Sequence, residues 1–121
     1  MKQKKVLIID DETEFSEMLA LRLEANNYSV LTAPDGEGGL AVAKAEKPDI
    51  ILLDVMLPGL AGFEVLRRLK RQPETDSVPV IMLTAKGESK SIFKAQDGRA
   101  VDYFIKPCDS RELLALLKRY A

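Results

Sequence analysis

The feature that most constrains the fold is a set of short runs that are apolar at almost every position. They lie at residues 5–9 (KVLII), 50–53 (IILL) and 80–83 (VIML). A half-exposed strand alternates apolar and polar residues, whereas a strand buried on both faces is apolar throughout. Continuous runs of this length are typical of parallel strands covered on both sides. The chain is therefore predicted to contain a parallel sheet in the middle of its fold.

Segments with helical spacing separate these runs. Two further strands, at residues 28–32 and 103–105, are more polar or shorter. Apolar side chains at intervals of three and four predict helices near residues 13–23, 63–71 and 113–120, and an Ala-rich stretch predicts one at 36–47. Asp11 and Glu14 resemble a capping box at the start of the first helix. A thin apolar stripe at residues 88–97 predicts a loosely held fourth helix.

Strand and helix thus alternate five times, which is typical of an α/β fold with right-handed crossovers. We predict a three-layer sandwich, with a five-stranded parallel sheet in the order 2-1-3-4-5 and five helices, as in flavodoxin-like folds. The 121 residues fit one domain spanning residues 1–121. In such folds ligands bind beyond the carboxyl ends of the strands, where the strand order reverses between strands 1 and 3.

Composition narrows the range of functions. Lys and Arg number 18 and Asp and Glu 19, so charge does not favour direct binding to nucleic acid or to anionic lipid. The absence of histidine excludes histidine ligands, a histidine base and a phosphohistidine on this chain. Cys108 is the single cysteine, and no segment resembles a signal peptide or a membrane span. These features are compatible with a reducing cytosol, and we expect a cytoplasmic protein that does not bind membranes.

Polar side chains follow four of the five predicted strands. The second strand is followed only by Ala33-Pro34, whereas the others end in Asp10-Asp11-Glu12, Asp54, Thr84 and Lys106. If strands 1 and 3 are neighbours, carboxylates from both meet in one crevice and repel each other unless a cation lies among them. Oxygen ligands completed by water suit Mg²⁺ or Mn²⁺ better than Zn²⁺.

Each of these residues also has an ordinary structural explanation. Asp10 or Asp11 suits a helix cap, and Asp54 suits the start of the Leu57-Pro58-Gly59 turn. Thr84 and Lys106, each considered alone, suit a strand-end hydroxyl and a solvated lysine. Their joint occurrence at four strand ends favours a site. A cation, an ammonium and a hydroxyl around one carboxylate would bind phosphoryl oxygens, with Asp54 as the nucleophile that becomes an acyl phosphate.

Four motifs resemble one family over almost the whole chain. The segments VLIIDDE, ILLDVMLPGLAGFEVL, PVIMLTA and DYFIKP occur in order, and together they are similar to the receiver domain of two-component response regulators. The resemblance implies that Asp54 accepts a phosphoryl group from the phosphohistidine of a sensor histidine kinase or a phosphotransfer protein. It also implies Mg²⁺, which Mn²⁺ can replace, bound by Asp11, Asp54 and the main-chain carbonyl of Met56, with Asp10 acting through a coordinated water.

The resemblance also implies a switch. Lys106 would pair with the phosphoryl oxygens, and the Lys106-Pro107 bond would be cis. Thr84 would move toward the phosphate and Tyr103 would turn inward behind it. These changes would alter the affinity for a downstream effector protein or domain through the face formed by the fourth helix, the fifth strand and the last helix.

Two positions depart from the family pattern at this face. Regulators that dimerise through their last helices usually carry an acid at the position of Val101 and an arginine at that of Leu116. Apolar residues there argue against a strongly charged dimer interface, so we expect a monomer or a weak, phosphorylation-dependent dimer. Cys108 occupies a position that is usually aromatic, and its role stays open between a small apolar filler and a redox group.

Three classes of function remain. A phosphorylation-controlled signalling receiver agrees with the full acid, Thr and Lys set. A turnover phosphatase of the aspartyl-phosphate type needs a second acid just beyond Asp54, where the chain reads VMLP. A binding scaffold would have no need for three clustered carboxylates. We therefore expect a receiver that catalyses only its own phosphotransfer and slow self-dephosphorylation, with no effector or DNA-binding segment in this chain because only one helix fits after Lys106.

Overall fold

The computed structural model describes residues 3–85, 100–106 and 110–121. Five strands and four helices lie within these ranges. The strands are β1 (Lys4–Ile9), β2 (Tyr28–Ala33), β3 (Ile50–Asp54), β4 (Val80–Ala85) and β5 (Asp102–Lys106). The helices are α1 (Thr13–Ala25), α2 (Gly36–Glu46), α3 (Gly62–Arg71) and a C-terminal helix (Ser110–Tyr120). The strand and helix segments expected from the pattern in these ranges are all present.

The five strands form one sheet in the order β2-β1-β3-β4-β5, and every neighbouring pair is parallel. This confirms the predicted fold class and the strand order. β1 and β3 are direct neighbours, with Ile9 opposite Leu53 at their carboxyl ends. The order reverses at this pair, because β2 lies on one side of β1 while the later strands continue beyond β3.

Helices cover both faces of the sheet. Successive strand residues point to opposite faces, and the residues of β1 accordingly divide between two buried clusters. Val6 and Ile8 pack with leucines of α1 and the C-terminal helix. Leu7 and Ile9 pack with residues of α2 and α3 on the other side. Two apolar layers around one sheet explain why the central runs are apolar at almost every position.

The helix starts differ in how they are capped. Asp35 caps α2, since its Oδ1 accepts a hydrogen bond of 2.7 Å from the Gly38 N–H. The expected capping box of Asp11 and Glu14 is wrong, because α1 begins at Thr13 with Glu12 as its N-cap residue and no side-chain cap bond. The carboxylate of Glu12 instead contacts a lysine from β5, as described below.

Two glycines permit the close packing that shapes the end of the sheet. A Cβ atom on Gly39 would overlap the side chain of Ile9, so α2 can approach β1 only because that position is glycine. A Cβ atom on Gly62 would overlap the carbonyl oxygen of Asp54 and the backbone of Val55. The first residue of α3 is thereby held directly against the end of β3, and the Gly62 N–H donates to the Val55 carbonyl.

Some expectations concern residues outside the described ranges. These are the helix at residues 88–97, the cis bond between Lys106 and Pro107, and the environment of Cys108. Within residues 3–85, 100–106 and 110–121, no helix combines the length and the apolar character that crossing a bilayer requires.

Candidate functional site

The carboxyl ends of β1 and β3 bring two aspartates to the same edge of the sheet. Asp10 follows Ile9 directly, and Asp54 follows Leu53, the residue opposite Ile9 in the register. Both residues are buried, since over the whole residue Asp10 is 1% and Asp54 4% exposed. Buried carboxylates are costly unless they are paired or hydrogen-bonded, so their partners determine what this site can do.

One oxygen of each aspartate is bound by the backbone two residues further along. The Asp10 Oδ1 accepts a hydrogen bond of 2.9 Å from the Glu12 N–H. In the same way, the Asp54 Oδ1 accepts one of 3.0 Å from the Met56 N–H. These turns orient both carboxylates and leave the second oxygen of each facing the ammonium of Lys106. Met56 is 67% exposed, and its contact with Asp54 is made by its backbone N–H.

Lys106 joins three acidic residues. Its Nζ lies 2.9 Å from the Asp10 Oδ2, 2.5 Å from the Glu12 Oε1 and 3.4 Å from the Asp54 Oδ2. The ammonium also lies 4.7 Å from the centre of the Phe15 ring, within the range of a cation–π contact. Lys106 ends β5, more than 50 residues from Asp54 and more than 90 from Asp10. Only the parallel sheet brings these groups together.

The acidic cluster differs in one member from the set expected from the sequence. Oxygens of Asp10, Glu12 and Asp54 all lie within 4.8 Å of one another. The side chain of Asp11 is exposed and is not part of this group. Glu12 was not among the predicted site residues. The one signal for it in the sequence is that it is the third acid in a row after β1.

The electrostatics of the cluster are set by burial and by the neighbouring charges. Burial is the main cause that raises the pKa of the Asp54 carboxyl, to about 6. The hydrogen bond from the Met56 N–H lowers this pKa, the charge of Asp10 raises it, and Lys106 lowers it. Burial on its own would lower the pKa of Lys106, but its hydrogen bonds to Glu12 and Asp10 raise that pKa above the ordinary lysine value. Asp54 is therefore mostly ionised at neutral pH, and Lys106 is a permanent cation.

The donor set fits a hard divalent cation. All the acidic ligands are carboxylate oxygens, which suit Mg²⁺, and the part of the chain that the structure describes places no nitrogen or sulfur ligand among them. Burial and the charge of Asp10 both disfavour the ionised form of Asp54. A cation at this edge would relieve the same repulsion between Asp10 and Asp54.

Thr84 and Tyr103 lie on the two strands beyond β3. Thr84 is 3% exposed and pairs with Ile105 across the β4–β5 register, one residue before the level of Lys106. Tyr103, opposite Met82, is 37% exposed. The sheet thus places the hydroxyl of Thr84 on the strand next to that of Asp54, while Tyr103 lies at the outer edge.

A second surface feature lies between β5 and the C-terminal helix. Three residues of the strand region are exposed although they are apolar or aromatic, namely Val101, Tyr103 and Ile105. Asp102 is bound on both sides within the chain, since its oxygens accept hydrogen bonds from the Tyr103 N–H at 2.8 Å and from the Tyr120 hydroxyl at 3.1 Å. This carboxylate ties the start of the edge strand to the last turn of the helix.

Comparison with known proteins agrees with these features. The sequence profile described as the response regulator receiver domain matches residues 6–118. The chain is 48% identical over 118 residues to the phosphate regulon transcriptional regulatory protein PhoB of Pseudomonas aeruginosa, covering 98% of this chain and 52% of that protein. It is 40% identical to the protein PilH of the same organism, with 91% of each chain covered.

A solved structure shows the same likeness in three dimensions. The chemotaxis protein CheY4 of Vibrio cholerae superposes with a TM-score of 0.89 at 31% identity, covering 99% of this chain and 100% of that one. The chain spans about half the length of several curated relatives that it matches. The profile match over nearly the whole chain, together with these identities, shows that the protein belongs to the response regulator receiver domain family.

Proposed function

We propose that this chain is a phosphorylation-dependent signalling receiver, which accepts a phosphoryl group on Asp54 and thereby changes its affinity for a downstream protein. The observation that carries the proposal is the contact of one ammonium, Lys106, with two buried carboxylates from neighbouring strands. A structural ion pair needs one acid for one base. The excess of carboxylates at the reversal point of the sheet is instead suited to a cation and a phosphoryl group.

In the proposed reaction an oxygen of the Asp54 carboxylate attacks phosphorus. The new bond is oxygen to phosphorus, and the bond that breaks joins phosphorus to the phosphohistidine nitrogen of the donor, which keeps the electron pair. No base on this chain is needed, because Asp54 is already mostly ionised at neutral pH. The Met56 N–H holds the carboxylate in a fixed orientation during the attack.

The other residues of the site would stabilise charge. We infer that Lys106 binds a phosphoryl oxygen once Asp54 is modified, and that the Thr84 hydroxyl donates to another. Asp10, Asp11, Asp54 and the Met56 carbonyl would hold Mg²⁺, or Mn²⁺ in its place, with Asp10 acting through a water. When bound, the cation neutralises charge that develops on the phosphoryl oxygens.

The family to which the chain belongs is not one of turnover enzymes. We propose that the only chemistry is self-phosphorylation from a donor and slow hydrolysis of the product. The residues directly after Asp54 are Val55, Met56 and Leu57, and none of them can protonate a leaving group or activate water as a phosphatase requires.

Phosphorylation of Asp54 would alter the surface that binds the downstream protein by moving the side chains of Thr84 and Tyr103. Movement of the buried Thr84 hydroxyl toward the phosphoryl group would vacate space that the half-exposed Tyr103 ring can fill. Tyr103 borders the groove between β5 and the C-terminal helix. The proposed output face is this surface together with the segment at residues 88–97, which lies outside the described residues.

The proposed partners follow from the reaction. A sensor histidine kinase or phosphotransfer protein would supply the phosphoryl group, and a downstream protein or domain would bind the altered face. The relatives include proteins named as transcriptional regulators, which are about twice the length of this match, and PilH, which the match covers almost completely. We expect a monomer or a weak, phosphorylation-dependent dimer, because Val101 and Leu116 are apolar.

The experiment that tests the proposal is intact-mass analysis after incubation with acetyl phosphate and Mg²⁺. We expect one phosphate on the wild-type protein, none on Asp54→Asn, and none on the wild type in EDTA. The exposed acid variant Asp76→Asn is the matched control, and it should still take up one phosphate.

Other outcomes would support other functions. Continuous release of many equivalents of inorganic phosphate from acetyl phosphate, in excess of the buffer reaction, would indicate a turnover enzyme. A wild-type protein that takes up no phosphate from acetyl phosphate or from a phosphorylated histidine kinase would be a binding scaffold, and the proposal would be wrong.

A further inference from the structure

We propose that Glu12 occupies, in the resting protein, the place on Lys106 that a phosphoryl oxygen takes after phosphorylation, so that Glu12 is a positioning residue that slows the modification of Asp54. This inference rests on the proposed function, because it concerns the regulation of the same site. It starts from the contact of 2.5 Å between the Lys106 Nζ and the Glu12 Oε1, which links residues 94 positions apart in the chain.

The ammonium of Lys106 has no hydrogen left for a new acceptor. A lysine ammonium has three N–H donors, and Lys106 hydrogen-bonds three carboxylates, those of Asp10, Glu12 and Asp54. Its side chain is only 10% exposed, and the ring of Phe15 lies 4.7 Å from the ammonium. A phosphoryl oxygen can therefore be bound in full only if one of the present acceptors leaves.

Burial identifies the acceptor that can leave. The side chains of Asp10 and Asp54 are 0% and 6% exposed, and each has its other oxygen bound to a backbone N–H. The side chain of Glu12 is 61% exposed. Rotation of Glu12 into water leaves Lys106 paired with both aspartates, whereas displacement of either aspartate leaves a buried carboxylate without its ammonium partner. Glu12 is the acceptor that yields.

Charge acts in the same direction. Three carboxylates surround one ammonium, so the resting cluster has an excess of negative charge before any donor arrives. An anionic donor such as acetyl phosphate is repelled by this excess, and the exposed carboxylate of Glu12 faces the solvent from which the donor comes. Glu12 thus opposes phosphorylation both by holding Lys106 and by repelling the donor.

The step itself needs no further reactant. An Asp54 oxygen bonds to phosphorus, the bond from phosphorus to the acetate oxygen breaks, and acetate leaves with the electron pair. The Glu12–Lys106 contact then exchanges for a contact between Lys106 and a phosphoryl oxygen, with all protons remaining where they were. An ion pair whose carboxylate is exposed, as that of Glu12 is, contributes about 0.2–1 kcal/mol, which corresponds to a change in rate of about 1.4- to five-fold.

The test compares rates of Asp54 phosphorylation by acetyl phosphate at saturating Mg²⁺, measured by intact mass over a range of donor concentrations. We expect Glu12→Gln to phosphorylate about 1.4- to five-fold faster than wild type at low donor concentration, and Glu12→Ala at least as fast. Glu14→Gln is the matched control, because it removes the same charge two residues away in the first turn of α1. It should change the rate much less.

Two further measurements separate a role through Lys106 from a general effect. In a Lys106→Met background, Glu12→Gln should change the rate no more than Glu14→Gln does in that background. The Mg²⁺ concentration for half-maximal rate should shift equally in the Glu12→Gln and Glu14→Gln proteins. A merely structural role for Glu12 would produce neither pattern.

The outcomes distinguish this inference from the proposed function. If the wild type forms no phosphate adduct, both are overturned. If the wild type is phosphorylated on Asp54 but Glu12→Gln matches Glu14→Gln, only the role of Glu12 is wrong. A slower Glu12→Gln protein with a selectively raised Mg²⁺ requirement would show that Glu12 is a metal ligand, which also overturns the inference.

Discussion

Strands β3 and β5 each supply one charged group to the site, yet they differ sharply in burial. All five residues of β3 are buried, from Ile50 to Asp54. In β5 the pattern alternates, and Phe104 is the one buried residue between exposed or half-exposed neighbours. The central strand therefore holds the nucleophile in a fixed position, while the edge strand that carries the largely buried Lys106 also has the exposed residues Tyr103 and Ile105, which solvent and partners can reach.

This difference in burial agrees with the two roles that we propose, attack on phosphorus by β3 and a change of the binding surface at β5. An attacking oxygen benefits from a rigid position, and Asp54 has one through its buried strand, the Met56 N–H and the close approach of Gly62. The surface that binds the downstream protein must instead be able to change its conformation. Edge strands with few buried neighbours belong to the less stable parts of a fold, so β5 is the strand that a change at Lys106 can move most readily.

The largest expected effect is on the free energy of unfolding, and it tests the difference in burial between β3 and β5. Leu52 is fully buried in β3, whereas Ile105 of β5 is 53% exposed. Leu52→Ala should lower the free energy of unfolding by about 3 kcal/mol, since it removes buried methyl groups and leaves a cavity. Ile105→Ala should lower it by less than about 1 kcal/mol. Urea denaturation of both variants measures the two values, and similar losses would show that the strands do not differ as described.

A smaller effect is expected from the charge at the tip of β3. Burial raises the pKa of Asp54 to about 6 from an ordinary value of 3.8, so ionisation of Asp54 destabilises the metal-free fold progressively from about pH 4, and the full cost is present above about pH 6. Asp54→Asn should therefore stabilise the protein at pH 7.5 in EDTA, by at most about 3 kcal/mol because each pKa unit corresponds to about 1.4 kcal/mol.

The stability gained by Asp54→Asn should depend on pH. Because the folded state binds the Asp54 proton more tightly than the unfolded state does, the cost disappears as the pH falls below about 4. The stability difference between Asp54→Asn and wild type should thus be larger at pH 7.5 than at pH 5. Asp76→Asn, which makes the same substitution at an exposed acid, is the matched control. A difference for Asp54→Asn that is equal at both pH values contradicts the account.

The smallest expected effect lies at the edge strand. Tyr120→Phe removes the hydrogen bond from the C-terminal helix to Asp102 and should cost about 0.5–1 kcal/mol, a typical value for one hydrogen bond at a partly exposed site. Hydrogen exchange should increase mainly in the last turn of that helix and at the start of β5. Tyr28→Phe on β2 serves as the control. If hydrogen exchange increased equally in β1 and β3, then β5 and the last turn of the helix would not unfold separately from the rest of the sheet.

The fold class and the meeting of Asp10 with Asp54 could be predicted from the sequence, for reasons that are local. The uniformly apolar runs ending in Asp10, Asp54 and Thr84 required strands buried on both faces. The predicted strand order 2-1-3-4-5 then placed the carboxyl ends of these strands side by side. The error at the first helix has an equally local cause, because Asp11 and Glu14 have the spacing of a capping box although the helix begins at Thr13 with Glu12 as its cap.

What the sequence alone determined is the class of the fold and the kinds of group at the strand ends, because strand burial and strand-end position depend on residue type within a few neighbours. What only the tertiary structure decided is which of those groups touch. The contact of Glu12 with Lys106 depends on the register of β1, β3, β4 and β5 together. No local pattern encodes a contact between residues 94 positions apart, because the sheet that creates it forms only when the distant strands pair.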